Sequence, residues 1–538
     1  MTNVRDLLAV LTRSRFLAPL RPDKYARFVA AFRSQGMSPT IGISLAAIRC
    51  PERTGLVDEI GALTWKQLDE RAQALAAGLL QLPGTPPSTV GVLCRNHRGF
   101  VDAIAAACVI GADVVLLNTS FAGPALAEVI ERESVDTVVY DQEFAASVVA
   151  GAAALDPARR ILAWLDGPAA GQPTTEALLT RHHGARPPAP ARLSKIILLT
   201  SGTTGTPKGA KQSGGGPTQL ISILGRVPWR AEEATVIAAP MFHAWGFMQL
   251  MVSSLMACTV VTRRHFDPEA TLALVDQHHA TGLSVVPVMF DRIMDLPTAL
   301  LNRYSARSLR FASASGSRMR SDVVIAFMDR FGDVIYNNYN ATEAGLIATA
   351  TPADLRAAPD TAGRPAVGTE LRILDHAHHA VPPGEVGQIY VRNSTQFGGY
   401  TSGQTKHFHE GFMASGDLGR FDDAGRLYVV GRDDDMIVSG GENIYPIEVE
   451  KSLMTHPDVA EAAVIGVDDS RFGQRLVAFV VAKPGLSADA DALKQHVRNH
   501  LANYKVPRAI HVVPELPRTA TGKIVRRKLN ELALDATE

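Results

Sequence analysis

The sequence predicts an α/β protein with a large N-terminal domain of helix-covered sheets and a small α+β domain at the C-terminal end. Two patterns support this prediction. From Leu63 to Tyr336, short β-branched runs alternate with segments of helical periodicity, as in largely parallel sheets covered by helices. After Arg432, strand-like runs surround one helical segment, which indicates a compact unit of its own.

The predicted elements follow one another along the chain without an internal repeat. One face of a helix is formed by Leu68, Ala72, Leu75 and Leu79. The Pro- and Ala-rich stretch Gly184–Arg192 is typical of a loop. The strands predicted for the large domain are Val90–Leu93, Asp113–Leu117, Ile196–Leu199, Thr235–Ala239, Thr259–Thr262, Leu283–Pro287, Leu309–Ser313 and Val334–Tyr336. The small domain is predicted to contain strands at Ala463–Val467, Leu476–Ala482 and Ala509–Val513, with a helix over Ala490–Asn503.

Composition narrows the class of protein. The chain has 54 basic and 54 acidic residues, so its overall charge gives no reason to expect a nucleic acid or an acidic partner. Its four cysteines form no C-x-x-C pair, which argues against a zinc site or a disulfide framework and for free thiols in a reducing cytoplasm. No signal-peptide pattern opens the chain, and Asp102 and Asp113 interrupt its longest apolar stretch, Gly99–Leu117. We therefore predict a cytoplasmic protein, with that stretch as a buried helix and strand.

The first 36 residues differ from the rest in charge. They carry seven basic and two acidic side chains, a net charge of +5. Tyr25, Phe28, Val29 and Phe32 lie at helical spacing and form one apolar face. Such a helix can lie on an anionic membrane, or its apolar face can pack on the main body. We favour packing and predict a basic helical extension over residues 1–48, while membrane association and homo-oligomerisation stay open.

A polar, glycine-rich loop directly follows the apolar run Ile196–Leu199. Residues 200–209 read Thr-Ser-Gly-Thr-Thr-Gly-Thr-Pro-Lys-Gly. A strand that ends in such a loop can turn backbone N–H groups and hydroxyls toward a polyanion, and glycines let phosphate oxygens approach closely. The loop is not a Walker A loop, because no Ser or Thr follows Lys208. The predicted phosphate contacts are Thr200, Ser201, Gly202, Thr203, Thr204, Gly205 and Lys208, with a plain surface turn as the alternative.

Four further motifs follow this loop in order. Residues 336–343 read Tyr-Asn-Asn-Tyr-Asn-Ala-Thr-Glu, residues 415–417 Ser-Gly-Asp, residues 431–435 Gly-Arg-Asp-Asp-Asp, and residues 517–523 Pro-Arg-Thr-Ala-Thr-Gly-Lys. In the same order, the five motifs resemble the signature of the adenylate-forming superfamily, which includes acyl-CoA synthetases, firefly luciferases and peptide-synthetase adenylation domains. The resemblance runs from about Leu63 to Leu529.

The resemblance implies a two-step reaction that uses ATP, Mg²⁺ and CoA. A carboxylate would attack the α-phosphate of ATP to give an acyl-adenylate and pyrophosphate, and the thiol of CoA would then displace AMP. The resemblance also implies that the small domain is mobile and swings about a hinge at Asp434. The expected domains are therefore an extension over residues 1–48, a large domain over 49–433, and a small domain over 434–538 that carries the catalytic lysine.

The same resemblance implies roles for individual residues. Glu343 would bind Mg²⁺ beside Thr342, since carboxylate oxygen suits this ion. Lys523 would bridge the substrate carboxylate and the α-phosphate. His243 would gate the acyl pocket, with a core histidine as the alternative. The remaining expected contacts, to nucleotide or to the pantetheine arm of CoA, are Ser315, Gly316, Asn338, Tyr339, Asn340, Asp417, Arg432, Ser439, Gly440 and Gly441.

Two positions depart from the common pattern of the superfamily. Asn340 stands where glycine is usual, and Ser317 where alanine is common. Because Asn tolerates a left-handed backbone better than most residues, we expect the loop geometry around residue 340 to be retained.

We predict an AMP-forming acyl-CoA ligase that acts on a fatty acid. The apolar stretches Phe242–Leu250 and Phe311–Ala314 flank the expected acyl pocket and suit an alkyl tail, but they equally admit an aryl or sterol-side-chain acid. A second possibility is transfer of the acyl group to a carrier protein that acts in trans. The presence of Lys523, Glu343 and Asp417 argues against a non-catalytic nucleotide or lipid binder.

Overall fold

The computed structural model describes residues 4–16, 19–200, 208–212, 217–397, 399–401, 403, 405–435, 437–439, 442–469, 473–519 and 522–535. Contacts between Cα atoms divide the chain into two compact units. Unit 1 comprises Met1–Glu370 and Arg392–Lys406, and unit 2 comprises Leu371–Val391 and His407–Glu538.

The helices and strands are numbered here in chain order. The helices are α1 (Val4–Arg13), α2 (Pro22–Gln35), α3 (Ile41–Arg49), α4 (Trp65–Leu80), α5 (Arg98–Ile110), α6 (Gly123–Arg132), α7 (Ala145–Gly151), α8 (Thr175–Arg181), α9 (Pro217–Arg226), α10 (Ala244–Leu255), α11 (Pro268–Gln277), α12 (Pro287–Met294), α13 (Thr298–Leu301), α14 (Ser321–Phe331), α15 (Pro352–Ala357), α16 (Pro446–Met454), α17 (Ala490–His500) and α18 (Arg526–Asp535). The strands of unit 1 are β1 (Thr54–Asp58), β2 (Gly61–Thr64), β3 (Thr89–Leu93), β4 (Asp113–Leu116), β5 (Thr137–Asp141), β6 (Arg160–Trp164), β7 (Ile196–Thr200), β8 (Lys208–Gln212), β9 (Ala234–Ile237), β10 (Thr259–Val261), β11 (Gly282–Val285), β12 (Phe311–Ala314), β13 (Ile335–Ala341), β14 (Gly345–Ala350) and β15 (Arg364–Pro365). The remaining strands are β16 (Glu370–Leu374), β17 (Gly387–Arg392), β18 (Phe408–His409), β19 (Phe412–Phe421), β20 (Leu427–Arg432), β21 (Ile437–Ser439), β22 (Glu442–Ile444), β23 (Val459–Asp469), β24 (Gly473–Ala482) and β25 (Ala509–Val512).

Unit 1 contains two sheets that are parallel in their centres. The first has the strand order β6-β5-β3-β4-β7-β8, and of its strands β8 alone runs antiparallel to its neighbour. The second has the order β15-β14-β13-β12-β11-β9-β10-β1-β2, with its six central strands parallel and antiparallel strands at both edges. The prediction of helix-covered, largely parallel sheets is confirmed.

Helix α4 shows how the sequence pattern becomes packing. Its predicted stripe of Leu68, Ala72, Leu75 and Leu79 is buried, and the core around it includes residues of α5 and β3. A capping box begins the helix, because Thr64 and Gln67 each accept a hydrogen bond from the other's backbone N–H group.

The apolar stretch Gly99–Leu117 forms the buried helix α5 and strand β4, as predicted. Asp102 is only 1% exposed in this helix, and its carboxylate lies 2.7 Å from the Arg71 guanidinium. The ion pair compensates for the burial of the charge. Among the described helices, none combines the length and apolarity that a membrane crossing requires.

Unit 2 contains two smaller sheets. One has the order β16-β17-β19-β18 with β20 beside β19, and the other has the order β22-β21-β24-β23 with β25 beside β24. The three strands predicted for the small domain lie in β23, β24 and β25. The helix predicted over Ala490–Asn503 ends earlier, at His500, because Leu501 takes an extended backbone conformation. Unit 2 begins at Leu371, well before residue 434. A boundary between mobile domains at residue 434 stays a prediction.

The N-terminal extension packs within unit 1, but not by the face that was predicted. Val10, Leu11 and Phe16 contact a core cluster that contains residues of α9, so α1 is docked. On α2, however, Tyr25 and Val29 are each 50% exposed and Phe32 is 41% exposed. The prediction that this face packs on the main body is therefore wrong for these three residues.

The side of α2 that does pack is more polar. Ala31 is buried, Gln35 donates a hydrogen bond to Ser44 of α3, and the Lys24 ammonium donates to the carbonyl of Arg49 at 2.5 Å. Polar anchors thus fix α2 on α3 and leave its apolar stripe outward.

Candidate active site

The predicted phosphate loop connects β7 to β8. These strands pair antiparallel, with Thr200 opposite Lys208 and Leu199 opposite Gly209. Of the predicted contacts, Ser201, Gly202, Thr203, Thr204 and Gly205 lie outside the described residues, and the structure describes Thr200 and Lys208 by their backbone. Their phosphate contacts remain predictions.

Gly209, at the exit of this loop, is needed for close packing. A Cβ atom there would lie 2.7 Å from Glu133 Oε1 and 2.8 Å from Thr401 Oγ1. Such distances are shorter than van der Waals contact, so no larger residue fits without displacing these side chains. The strand that leaves the loop is therefore held tightly against two distant parts of unit 1.

The candidate magnesium ligand Glu343 lies in a turn between β13 and β14. The turn is closed by a hydrogen bond from the Ala344 N–H group to the Ala341 carbonyl at 3.1 Å. The Glu343 carbonyl accepts from the Phe397 N–H group at 2.8 Å, and its carboxylate Oε1 accepts from the Tyr400 hydroxyl at 2.6 Å. Thr342 is its neighbour in this turn and is half-buried.

Asn338 has a structural role that the sequence did not reveal. Its amide is 4% exposed, donates to Ser313 Oγ and the Ala314 carbonyl, each at 3.3 Å, and accepts from the Thr349 hydroxyl at 3.0 Å. The side chain thus joins β12, β13 and β14. The side chain fixes the neighbouring backbone, and a nucleotide contact by Asn338 stays a prediction.

Tyr339 and Asn340 lie at an irregularity of register between β13 and β14. The backbone φ of Asn340 is not positive, so this residue does not adopt the left-handed conformation that was considered for it. Its Oδ1 atom is buried and accepts no hydrogen bond from the described residues. Tyr339 is half-buried, and an adenine contact by either residue stays a prediction.

Ser315 and Gly316 follow β12 directly. Gly316 has φ +109° and faces open space, whereas Ser315 is 2% exposed. The backbone conformation accounts for glycine at residue 316, because other residues rarely adopt it. The passage of the purine edge along this turn stays a prediction.

His243 lies at the start of α10, in the connection from β9. Its ring centroid is 4.4 Å from that of Phe242, and the residue is half-buried. Buried Asn96 fixes this connection: it donates to the Ala239 carbonyl at 2.9 Å and accepts from the Met241 N–H group at 2.8 Å. The gating role of His243 stays a prediction, and Asn96 is a positioning residue that sequence reasoning missed.

Asp417 and Arg432, the two predicted ribose contacts, are brought together within unit 2. They lie directly opposite each other on the antiparallel strands β19 and β20. Gly416 has φ +86°, and the Asp417 N–H group donates to Ser415 Oγ at 3.1 Å. The Ser-Gly-Asp motif is therefore a locally closed bend that fixes the Asp417 backbone.

The predicted hinge, Asp434, lies in a single 3₁₀ turn, Asp433–Asp435, between β20 and β21. Its two neighbours are anchored to different sheets and helices. Asp433 accepts a hydrogen bond from Gln388 of β17 at 2.8 Å, whereas Asp435 lies 3.3 Å from the Arg526 guanidinium of α18. Ser439 ends β21, and Gly440 and Gly441 lie outside the described residues.

Lys523 lies exposed in a short hairpin of unit 2. Two hydrogen bonds join it to Thr519, from the Thr519 N–H group to the Lys523 carbonyl at 2.8 Å and from the Lys523 N–H group to Thr519 Oγ1 at 3.1 Å. Arg518 donates to the Gly522 carbonyl and to Glu461 of β23, each at 2.6 Å. Arg518 thus fixes the lysine hairpin to the sheet.

One cluster of potential metal ligands occurs among the described residues, formed by Cys94, His97 and Asp141. The Gly99 N–H group donates to His97 Nδ1 at 3.0 Å, so the Nε2–H group donates to Asp141, 2.7 Å away. Burial raises the pKa of the Cys94 thiol. His97 therefore caps the N-terminus of α5 as a neutral imidazole. The four cysteines of the chain are free thiols, as predicted.

Comparisons with known proteins place the chain in a family. A family model described as AMP-binding enzyme matches residues 44–401, and one described as AMP-binding enzyme C-terminal domain matches residues 448–523. A feruloyl-CoA synthase from Amycolatopsis sp is 32% identical and covers 86% of this chain and 93% of its own length. An indoleacetate–CoA ligase from Aromatoleum aromaticum is 32% identical over 94% of this chain and 98% of its own.

A solved structure agrees with these relatives. The o-succinylbenzoate CoA synthetase from Bacillus subtilis, in complex with its acyl-adenylate intermediate, has a TM-score of 0.76 and 26% identity, and covers 91% of this chain and 97% of its own. The chain therefore belongs to the AMP-binding enzyme family of the adenylate-forming superfamily, in which it is an AMP-forming acid–thiol ligase.

Proposed function

We propose that the chain converts an aromatic carboxylic acid into its CoA thioester through an acyl-adenylate, with release of AMP and pyrophosphate. The observation that carries the proposal is the agreement of the relatives. Each of those reported above is named for a CoA ester of an aromatic acid, and each covers most of the chain. The fatty acid first predicted finds no support among them, whereas the aryl acid kept as an alternative does.

Adenylation requires that a carboxylate approach the negatively charged α-phosphate. Fixed positive charges and N–H donors lower the barrier to this reaction, because they offset the repulsion between the carboxylate and the phosphate. Lys523 would supply a charge, since its exposed ammonium stands on a hairpin that Arg518 holds to β23. The loop between β7 and β8 would supply the N–H donors.

Glu343 fits a ligand for Mg²⁺. Its carboxylate offers hard oxygen, and its backbone is fixed by the hydrogen bond from Phe397. When bound, Mg²⁺ would neutralise charge on the phosphates. Asp417 and Arg432, opposite each other on β19 and β20, would hold the ribose of the same nucleotide.

Thioester formation requires that Lys523 leave the site before the thiol enters. A rotation at Asp434 would accomplish this, because its neighbours are held by different partners. Asp433 would stay with β17, and Asp435 would move with α18. A single residue between two anchored ones is a suitable hinge, since rotation there breaks neither contact.

The experiment that tests this function is a panel of acids incubated with ATP and Mg²⁺, with and without CoA. Pyrophosphate release and CoA thioester are measured for aromatic acids and for fatty acids of increasing length. We expect aromatic acids to give both products. Higher kcat/KM for fatty acids would contradict the substrate class, and pyrophosphate release without any thioester would favour a carrier protein as acceptor. We further propose a cytoplasmic location, where free thiols persist.

A further inference from the structure

The segment that contains Tyr400 contacts two separate parts of the proposed ATP site. It belongs to Arg392–Lys406, which packs in unit 1 although the chain on either side of it belongs to unit 2. Its described residues contact the turn that carries Glu343 and the strand that leaves the phosphate loop. No sequence motif singled it out.

The first set of contacts fixes the backbone of the Glu343 turn. Phe397 donates its N–H group to the Glu343 carbonyl at 2.8 Å. The next carbonyl, of Ala344, accepts from Asn393 Nδ2 at 2.9 Å and from Thr395 Oγ1 at 2.8 Å. Three donors of one segment therefore hold two successive peptide units of the turn.

The second contact is to the carboxylate itself. The Tyr400 hydroxyl donates to Glu343 Oε1 at 2.6 Å, a distance typical of a hydrogen bond to a charged acceptor. The Tyr400 ring meets that of Phe397 edge to face, at 4.9 Å between centroids, and Phe397 is 6% exposed. The hydroxyl is thus held in place by a packed aromatic pair.

The third contact reaches the phosphate loop. Thr401, the residue after Tyr400, donates its N–H group to the carbonyl of Gly209 at 2.8 Å. Its hydroxyl donates to Glu133 Oε1 at 3.0 Å, and Glu133 is itself paired with Arg132. The same short segment therefore holds both the carboxylate turn and the exit of the loop.

We propose that Tyr400 is a positioning residue that fixes one oxygen of Glu343 and so presents the carboxylate to Mg²⁺-bound ATP. The inference rests on the proposed function of Glu343. A free glutamate side chain samples several rotamers, and a metal ligand that is already oriented loses less freedom on binding. Tyr400 donates one hydrogen bond to Oε1. A carboxylate has about four lone-pair sites, so lone pairs remain with which Glu343 could bind Mg²⁺.

The test compares Tyr400→Phe with the wild type. ATP binding is measured by calorimetry over a range of Mg²⁺ concentrations, without acid or CoA. We expect the Mg²⁺ concentration that gives half-maximal ATP binding to rise about tenfold. A change of this size is expected when one hydrogen bond to a charged group is lost. ATP binding in EDTA and the melting temperature should stay close to those of the wild type.

Tyr304→Phe is the matched control. The Tyr304 hydroxyl also donates to a glutamate, Glu269 Oε1, at 3.0 Å in unit 1, and Glu269 has no proposed role. This variant should bind ATP with the Mg²⁺ dependence of the wild type. Equal shifts in both variants would overturn the proposal, because loss of a tyrosine–glutamate contact would then act through general stability.

A double-mutant cycle with Glu343→Gln decides whether Tyr400 acts through Glu343. If it does, Tyr400→Phe should leave the Mg²⁺ dependence almost unchanged in the Glu343→Gln background. The same tenfold shift in both backgrounds, or no shift in either, would overturn the proposal. A wild type that binds ATP in a Mg²⁺-dependent way but forms no AMP with any acid would instead contradict the proposed function.

Discussion

Lys523 stands in a hairpin whose geometry is set by its own motif. Thr519 closes the hairpin, Gly522 supplies a backbone with φ +79°, and Arg518 ties it to Glu461. Thr519, Gly522 and Arg518 therefore each have a structural reason, and the catalytic role of the exposed Lys523 stays a prediction.

Lys523→Ala should lower the rate of adenylation by about 10²-fold or more, as expected for the loss of one preorganised electrostatic contact. It should largely spare thioester formation from supplied acyl-adenylate, because in the proposed mechanism the lysine leaves the site before that step. Pyrophosphate release and thioester yield measure the two half-reactions separately. Lys528→Ala, at an exposed lysine of α18, is the control and should leave both unchanged. Equal loss of both half-reactions in Lys523→Ala would refute the assignment.

At the scale of elements, the proposed mechanism makes the second half-reaction depend on the connection between β20 and β21. The 3₁₀ turn Asp433–Asp435 is short, and both of its ends are anchored within unit 2, to Gln388 and to Arg526. The proposed rotation would then concentrate at Asp434, the residue between them.

Asp434→Pro should fix φ at this residue and slow a rotation about it. Single-turnover pyrophosphate release should persist, while the yield of CoA thioester falls steeply. Asp434→Ala removes the same side chain without fixing φ and should behave like the wild type. Normal thioester turnover in the proline variant would place the hinge elsewhere.

The N-terminal helices make a second prediction at this scale. α1 contributes Val10 and Leu11 to a core cluster, and buried Arg49 donates to the carbonyls of Arg15 and Phe16. Deletion of residues 1–36 should therefore lower the melting temperature by several degrees, because it exposes apolar surface and leaves the Arg49 guanidinium without these acceptors.

Vesicle sedimentation on the same truncated protein addresses the exposed stripe of α2. We expect little change in binding to anionic vesicles. Loss of vesicle binding at low salt, with an unchanged melting temperature, would show instead that the stripe of Tyr25, Val29 and Phe32 serves a membrane.

At the scale of the whole molecule, local patterns predicted the elements better than they predicted the contacts that join them. The stripe on α4 and the apolar runs of the parallel strands were recognisable because periodicity and burial are properties of short segments. The motif order identified the family for the same reason, since each motif is a short run of chain.

The contacts that fix the site were not recognisable, because they join distant segments. Thr401 and Glu133 are 268 residues apart, and Asn96 reaches Ala239 across 143 residues. An apolar face on α2 was visible in the sequence, but a periodic pattern does not say what covers that face. The use of the Asn338 amide within the sheet was likewise not visible in the sequence, because its partners lie on other strands.

The measurement that tests the central claim most directly is the fate of isotope from a substrate acid labelled with ¹⁸O in its carboxylate. If the carboxylate attacks the α-phosphorus of ATP, one labelled oxygen stays with the phosphate when the thiol of CoA displaces AMP. With an aromatic acid, ATP, Mg²⁺ and CoA, we therefore predict ¹⁸O in AMP, none in pyrophosphate, and formation of the CoA thioester. Label in inorganic phosphate together with ADP would contradict the account, because attack would then have occurred at the γ-phosphorus.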